Sequence, residues 1–269
     1  MNSPGQIPST PKFQVKLNWK LVLFSLLLLP LLTGLGFWQL QRAAEKTTIQ
    51  ESWRRQQALA PVPFAEVKDS PQENFRRVAM QGQFDPEHYW LLENRVLDGN
   101  LGYEVLMPFH VENSLGADAG LILVNRGWLP AGAYRTQLPK VNTPVGVIRI
   151  SGSLAKPSDN RFINEQANPT STQGWPRKIL EVDPKALSMQ LQPIQMDGQN
   201  FLYERVLRID AENAAAFKAH WQPINMAASK HRGYAVQWFS MAFVLVILTF
   251  FANSNLADVL FRRKSSPHS

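Results

Sequence analysis

LVLFSLLLLPLLTGLGFWQL, residues Leu21 to Leu40, decides how this chain is read. Only Ser25, Pro30, Thr33 and Gln39 interrupt it as polar or helix-breaking residues. A second run, YAVQWFSMAFVLVILTFFA from Tyr234 to Ala252, carries only Gln237, Ser240 and Thr249. At about 1.5 Å of rise per residue, each reaches about 28–30 Å as a helix, the thickness of a bilayer's hydrocarbon core. Helix is the expected form, because lipid gives backbone N–H and C=O groups no other partner.

Working outward, the spans divide the chain into a tail over 1–20, a transmembrane helix over 21–41 and an extramembrane domain over 42–232. A second transmembrane helix over 233–253 and a tail over 254–269 complete it. The first run is longer than the apolar core of a signal peptide, and Gly36-Phe37-Trp38-Gln39 makes a poor cleavage site, so it reads as a retained anchor. The first eleven residues contain no arginine, unlike a mitochondrial transit peptide.

Two crossings put both tails on one side. Basic residues flank the spans in the tails, at Lys12, Lys16, Lys20 and Arg262, Arg263, Lys264. The loop side is basic too, at Arg42, Lys46, Lys230 and Arg232, and a loop of this length translocates largely regardless of charge. The balance predicts tails in the cytoplasm and the domain in a periplasm, hence an inner-membrane protein.

The net charge of +7 does not imply nucleic acid, because much of the surplus lies beside the bilayer, where it meets anionic head groups. The domain has no basic patch interleaved with aromatics. The apolar fraction of 45% suits a folded core. There is no cysteine, which excludes disulfides, thiolate catalysis, zinc-finger sites and covalent haem attachment.

Within the domain, Glu51 to Gln57 reads as the polar end of a helix leaving the first span, broken by Ala60-Pro61-Val62-Pro63. The pattern then turns to strands: 76–84, 88–96, 103–111, 120–129, 145–154 and 201–209, with Asp98-Gly99-Asn100 as a turn. Asn160 to Gly174 reads as a loop. Asp183 caps a short helix with Pro184 in its first turn, and Ala211 to Trp221 reads as a second helical piece. The expected fold is two transmembrane helices flanking a mainly antiparallel β (α+β) extramembrane domain, either an open sheet or a small barrel.

Two clusters carry candidate chemistry. Trp38 and Arg42, four apart on one helix face, end the first span. His231, Tyr234 and Trp238 stand at i, i+3 and i+7 at the start of the second. The spans run in opposite directions, so both clusters come to the same outer edge. A neutral imidazole there could ligate haem iron, the aromatic rings could pack a porphyrin, and Arg42 or Arg232 could pair with propionates. An ordinary interfacial aromatic belt with snorkelling arginines uses the same residue types. His88, His110, His220 and His268 form no metal-ligand spacing, and no nucleophile elbow, P-loop or dinucleotide fingerprint is present. Asn125-Arg126-Gly127-Trp128 reads as a structural turn in which glycine meets a special backbone angle.

Five pieces in order resemble the Surfeit locus protein 1 family, membrane proteins that assist assembly of haem–copper cytochrome c oxidase. They are Gly36-Phe37-Trp38-Gln39-x-x-Arg42; Arg76-Arg77-Val78 with Gly82-x-Phe84; Gly102-Tyr103-x-Val105 with Pro108; Val124-Asn125-Arg126-Gly127-Trp128-x-Pro130; and His231-x-x-Tyr234-Ala235-x-Gln237-Trp238-Phe239. The resemblance implies transient binding of haem a and aid to its insertion into the oxidase's catalytic subunit. It places the iron-ligand role on His231, the site's metal residue, and a haem-contact role on Trp238. Implied partners are that subunit, a haem a synthase as source, and the lipid bilayer. It implies no turnover chemistry. A haem-free scaffold for a folding oxidase subunit and a membrane-anchored periplasmic enzyme are the alternatives, and Met226 and Met241 are open as second axial ligands.

Overall fold

The computed structural model describes residues 13–67, 74–112, 118–132, 134, 137–157, 174–191, 202–223 and 226–255. All but Gly174 of the loop expected at 160–174, much of both tails, and His268 lie outside them. The chain divides into two compact units, one of Met1–Ile49 with Ile224–Ser269 and the other of Gln50–Pro223.

The first unit holds most of α1 (Trp19–Ala58) and all of α3 (Ala228–Ala252). Both are long and apolar enough to cross a membrane. Leu23, Phe24, Leu26, Leu27 and Leu31 on α1 are exposed, as are Val236, Phe243, Val244, Leu248 and Phe250 on α3. Side chains of that size left open along two helices form an apolar surface that a bilayer's hydrocarbon would cover favourably. Pro30 sits inside α1 and removes one intrahelical donor, a defect tolerated in spanning helices. Asn18 accepts from Leu21 N–H at 3.4 Å as the helix begins.

The second unit is built on eight strands. They are β1 (Val62–Pro63), β2 (Arg77–Phe84), β3 (Trp90–Leu97), β4 (Asn100–Glu112), β5 (Asp118–Pro130), β6 (Ile148–Ala155), β7 (Arg177–Ile179) and β8 (Leu202–Ile209), with α2 (Pro184–Leu191) between the last two. The ladder runs β2-β6-β8-β5-β4, and β4 returns to β2 through Gln81↔Glu112 to Phe84↔Phe109, closing a five-stranded barrel. Closure resolves the choice between open sheet and barrel. The pairs are antiparallel except β5 with β8, which is parallel. Outside the ring, β3 extends from β4, β7 lies parallel to β3, and β1 lies parallel to β2.

Alternation along the strands fills two cores. The barrel interior takes Val78, Val105, Met107, Phe109, Ile122, Val124, Ile150, Leu154, Leu207 and Ile209. Residues of opposite parity, Trp90, Leu92, Leu106, Leu121, Leu123 and Val206, meet Leu187 and Leu191 of α2 in a second core. Asp183 caps α2 as its sequence predicts, accepting from Lys185 N–H at 3.0 Å. Trp90 donates its indole N–H to Gln190 at 2.9 Å, so a buried polar tip finds a partner.

One predicted element is corrected. Ala211–Trp221 holds turns and a bridge instead of a helix. Asn213 accepts from Ala215 N–H at 3.0 Å, and Phe217 N–H donates to the Arg126 carbonyl at 2.6 Å. Trp128 N–H donates to the Lys218 carbonyl at 3.0 Å. Bonding to β5 overrides the helix propensity of an alanine-rich segment.

Asn125–Trp128 is corrected as well: it lies within β5 and forms no turn, although Gly127 does take a special backbone angle, and Arg126 points into the barrel. Its side chain is 2% exposed, among the barrel-core residues, with the guanidinium 4.9 Å from the Phe84 ring and 4.5 Å from the Phe217 ring. It donates to the carbonyls of Ala215 at 2.9 Å and Asn142 at 2.7 Å, and to the Thr143 hydroxyl at 3.2 Å. Burial lowers its pKa to about 10. Gly127 has φ 104°, where an added Cβ would stand 2.9 Å from the Lys218 carbonyl oxygen.

Candidate functional site

On α1, Ser25, Leu32, Gly36, Gln39, Ala43 and Thr47 recur at steps of three, four and seven, so they form one stripe. On α3 the corresponding stripe is Ala228, His231, Ala235, Phe239, Ala242 and Thr249. Contacts between them run in reverse order, as an antiparallel pair requires. Ser25 and Thr249 hydroxyls lie 2.6 Å apart, and Gly36 lies under the Phe239 ring, which an added Cβ would meet at 2.7 Å. Gln39 meets His231, and Thr47 accepts from Arg232 at 3.4 Å. Small residues let the backbones approach: Ala43, Ala235 and Ala242 are all buried. Phe37 adds an edge contact to Phe239 at 5.3 Å.

At the opposite end of the pair, chain preceding α1 meets the end of α3. Lys16 N–H donates to the Asn253 carbonyl at 2.8 Å, and Asn255 N–H to the Gln14 carbonyl at 3.1 Å. Asn253 and Asn255 side chains accept from Asn18 and Gln14 N–H groups.

The central feature is the 2.8 Å bond between His231 Nδ1 and Gln39 Oε1. With the amide oxygen as acceptor, Nδ1 carries the proton of the neutral ring. Nε2 then keeps its lone pair for a Lewis acid. His231 is half-buried, close to the helix start and among small residues.

The other predicted site residues fall around this bond. Arg42 pairs with Glu45 at 2.8 Å and lies 5.8 Å from the Trp38 ring, so the two residues expected to act together do touch. Trp38 is 48% exposed, as is Tyr234, and Trp238 is half-buried. The α1 residue bonded to the imidazole is Gln39, not Trp38 or Arg42. Met226 and Met241 are each more than a third exposed. Among the described residues, no group of three or more His, Cys, Asp or Glu side chains could hold a metal ion by itself.

Gln39 was within the quoted sequence pattern but was not singled out. A usable signal exists: a lone amide inside an apolar run, three residues from Gly36 and four from Ala43, lies on the stripe that small residues mark as an interface.

Comparison with known proteins agrees with this architecture. The family model described as "SURF1 family" matches residues 26–243, so the match includes both helices and the barrel. A SURF1-like protein of Rickettsia felis is 24% identical over 234 residues, covering 85% of this chain and 95% of that protein. One from Rickettsia prowazekii is 26% identical over 225 residues, 81% of this chain and 83% of its own length. Surfeit locus protein 1 of Takifugu rubripes is 29% identical over 150 residues, 47% of this chain and 60% of that protein.

Proposed function

Because this chain belongs to the SURF1 family, known as cytochrome oxidase assembly factors, we propose that it is an assembly factor that binds haem a and aids its insertion into the oxidase's catalytic subunit. The observation that carries this reading is the His231–Gln39 bond between the two apolar helices. A ligating imidazole almost always donates its second nitrogen's proton to a fixed acceptor, which orients the ring and raises its basicity. Gln39 is such an acceptor, so the donor set fits an iron ligand. Haem supplies a Lewis-acidic iron and a broad apolar face. This chain's part is to fix the Nδ1 proton of the imidazole on Gln39 and so leave Nε2 to the iron, to offer Trp238, Tyr234 and Trp38 as ring surfaces, and to offer the Arg42 guanidinium to a propionate.

The protein acts by binding and hand-over, without turnover chemistry, and its affinity has to be moderate because a carrier must release its cargo. The cargo comes from a haem a synthase. The reading places it in the inner membrane with the barrel in the periplasm and both tails in the cytoplasm. The cysteine-free chain makes that test direct: Val145→Cys should react with an impermeant thiol reagent from outside, and Ser265→Cys only after lysis.

His231→Ala, co-expressed with the haem a pathway, should insert normally yet lose most of the haem that co-purifies with the wild type. Gln39→Leu should shift the haem spectrum while retaining some pigment. Unchanged haem in His231→Ala removes the ligand assignment. A wild-type protein without pigment that still supports oxidase assembly points instead to the haem-free scaffold.

A further inference from the structure

The outer face of the barrel holds a cavity of about 220 Å³ that plays no part in the helix-pair site. Leu92, Leu106 and Val206, all members of the second core, give it an apolar floor. A bulge in β3 between Leu92 and Arg95, with Asn94 at φ 58°, leaves Glu93 and Asn94 without ladder partners. Both line the cavity, as expected where a bulge re-aims side chains beside a site.

Three neighbouring strands supply the polar wall: Glu104 from β4, Asn125 from β5 and Arg208 from β8, where Asn125 pairs directly with Arg208 in the ladder. Arg95 stands across from them, and Lys156 lies at the exposed rim. The charges do not balance. Glu93 is matched by Lys178 at 3.3 Å, and Glu181 has a partner of its own. Glu104 takes the Asn125 amide at 2.6 Å and lies 3.7 Å from Arg95. Among the described residues, the Arg208 guanidinium makes no hydrogen bond, and it lies 5.6 Å from the Trp221 ring. Burial lowers its pKa, with Glu104 opposing that change and Arg95 adding to it. Two guanidiniums thus share one carboxylate, and the more enclosed of them lacks a fixed acceptor.

We propose that this cavity is a carboxylate-binding site, in which Arg208 holds the incoming anion through its planar fork and Arg95 completes a two-cation, two-anion cluster. The volume is below the roughly 300–1,000 Å³ of pockets that enclose a drug-sized ligand. It suits one acidic group, whether carried by a small organic acid or by an aspartate or glutamate side chain, and not a macrocycle.

The test uses the full chain purified in detergent. Succinate and acetyl-glutamate amide are titrated at fixed ionic strength, with succinamide as the uncharged control. Tryptophan fluorescence is the readout, because Trp221 lies beside Arg208. A saturable change is expected with a carboxylate and none with succinamide. Saturation by succinate alone assigns a free acid, and saturation by the glutamate analogue assigns a side chain. Arg208→Gln should weaken binding at least tenfold, and Arg208→Lys less. Glu104→Gln keeps the oxygen that Asn125 needs but removes the competing charge, so it should tighten binding severalfold. That opposite sign also covers the case in which Arg208→Gln does not fold. No saturable response to either carboxylate, an unaffected Arg208→Gln, or a weakened Glu104→Gln would each overturn the site.

Discussion

The helix pair and the barrel are held together by opposite means. The barrel buries Phe109, Ile122, Ile150, Leu154, Leu207 and Ile209 completely, while the helix pair's most buried residues are Ala43 and Ala235. The barrel's contacts are large and apolar. The helices approach through glycine and alanine and are joined by Ser25–Thr249 and Gln39–His231. The difference follows from the medium. Water drives large side chains together, whereas in lipid a leucine gains little by leaving one apolar environment for another, so close backbone packing and polar bonds decide association. The proposed role of His231 as a ligand held by an amide is compatible with the second strategy, because that interface already uses polar pairs.

The largest effect on the barrel should come from Arg126→Met. It leaves the buried Ala215 carbonyl without its donor, at about 1–3 kcal/mol, and also loses the Asn142 bond and the packing on two rings, so a total of roughly 3–5 kcal/mol is expected in denaturant unfolding. Lysine at this position keeps the charge but not the fork, and should recover only part.

Truncation of leucine gives the sharpest contrast between the regions. Leu154→Ala in the barrel should cost about 2–5 kcal/mol, because it loses both transfer energy and packing. Leu32→Ala on the α1 stripe loses only packing and should cost less than half as much in a helix-dissociation assay in detergent. Equal costs would break the comparison.

Gly36→Ala should then weaken the helix pair by about 1 kcal/mol, because its Cβ meets the Phe239 ring. Adding Phe239→Ala should relieve that loss, a coupling that inter-helix energy transfer can read. Ser25→Ala should cost about 0.6 kcal/mol, the usual worth of a hydrogen bond between spanning helices. The smallest effect concerns pH. The Arg126 pKa of about 10 lies below its ordinary value, so the unfolded chain binds the extra proton only between the two. Stability attributable to this group rises with pH in that window and is flat below it. The difference in unfolding midpoint between wild type and Arg126→Met should therefore not change from pH 6 to 9.

How legible these features were in the sequence depended on how local their causes are. Strands β2, β6 and β8 announced themselves by alternation, β3 by its Tyr, Trp and Leu content, β4 and β5 as runs set off by turn and loop residues, and α2 by Asp183-Pro184. The three-residue β7 and two-residue β1 are too short for a period of two to register, and both exist through parallel pairing with a distant strand. Closure of β4 onto β2 and the parallel β5–β8 pair are likewise non-local. Ala211–Trp221 misled because its composition favours helix while its bonds go to β5. At the candidate site, His231 was legible from its place at the mouth of an apolar run. The Gln39 partner becomes legible only when Gly36 and Ala43 are read as marking a helix interface, because the amide by itself resembles any other polar residue near a membrane edge.

Closing the sheet into a ring has a consequence for how this protein can meet another chain. Among the described residues, the ladder leaves only short stretches outside a pairing, at β1, β7, the outer edge of β3 beyond Leu92 and the start of β6 beside β8, so no long row of backbone donors and acceptors is left to template a newcomer. A partner with unpaired strands of its own would find little in the ring to add itself to, so recognition there has to be read from side chains.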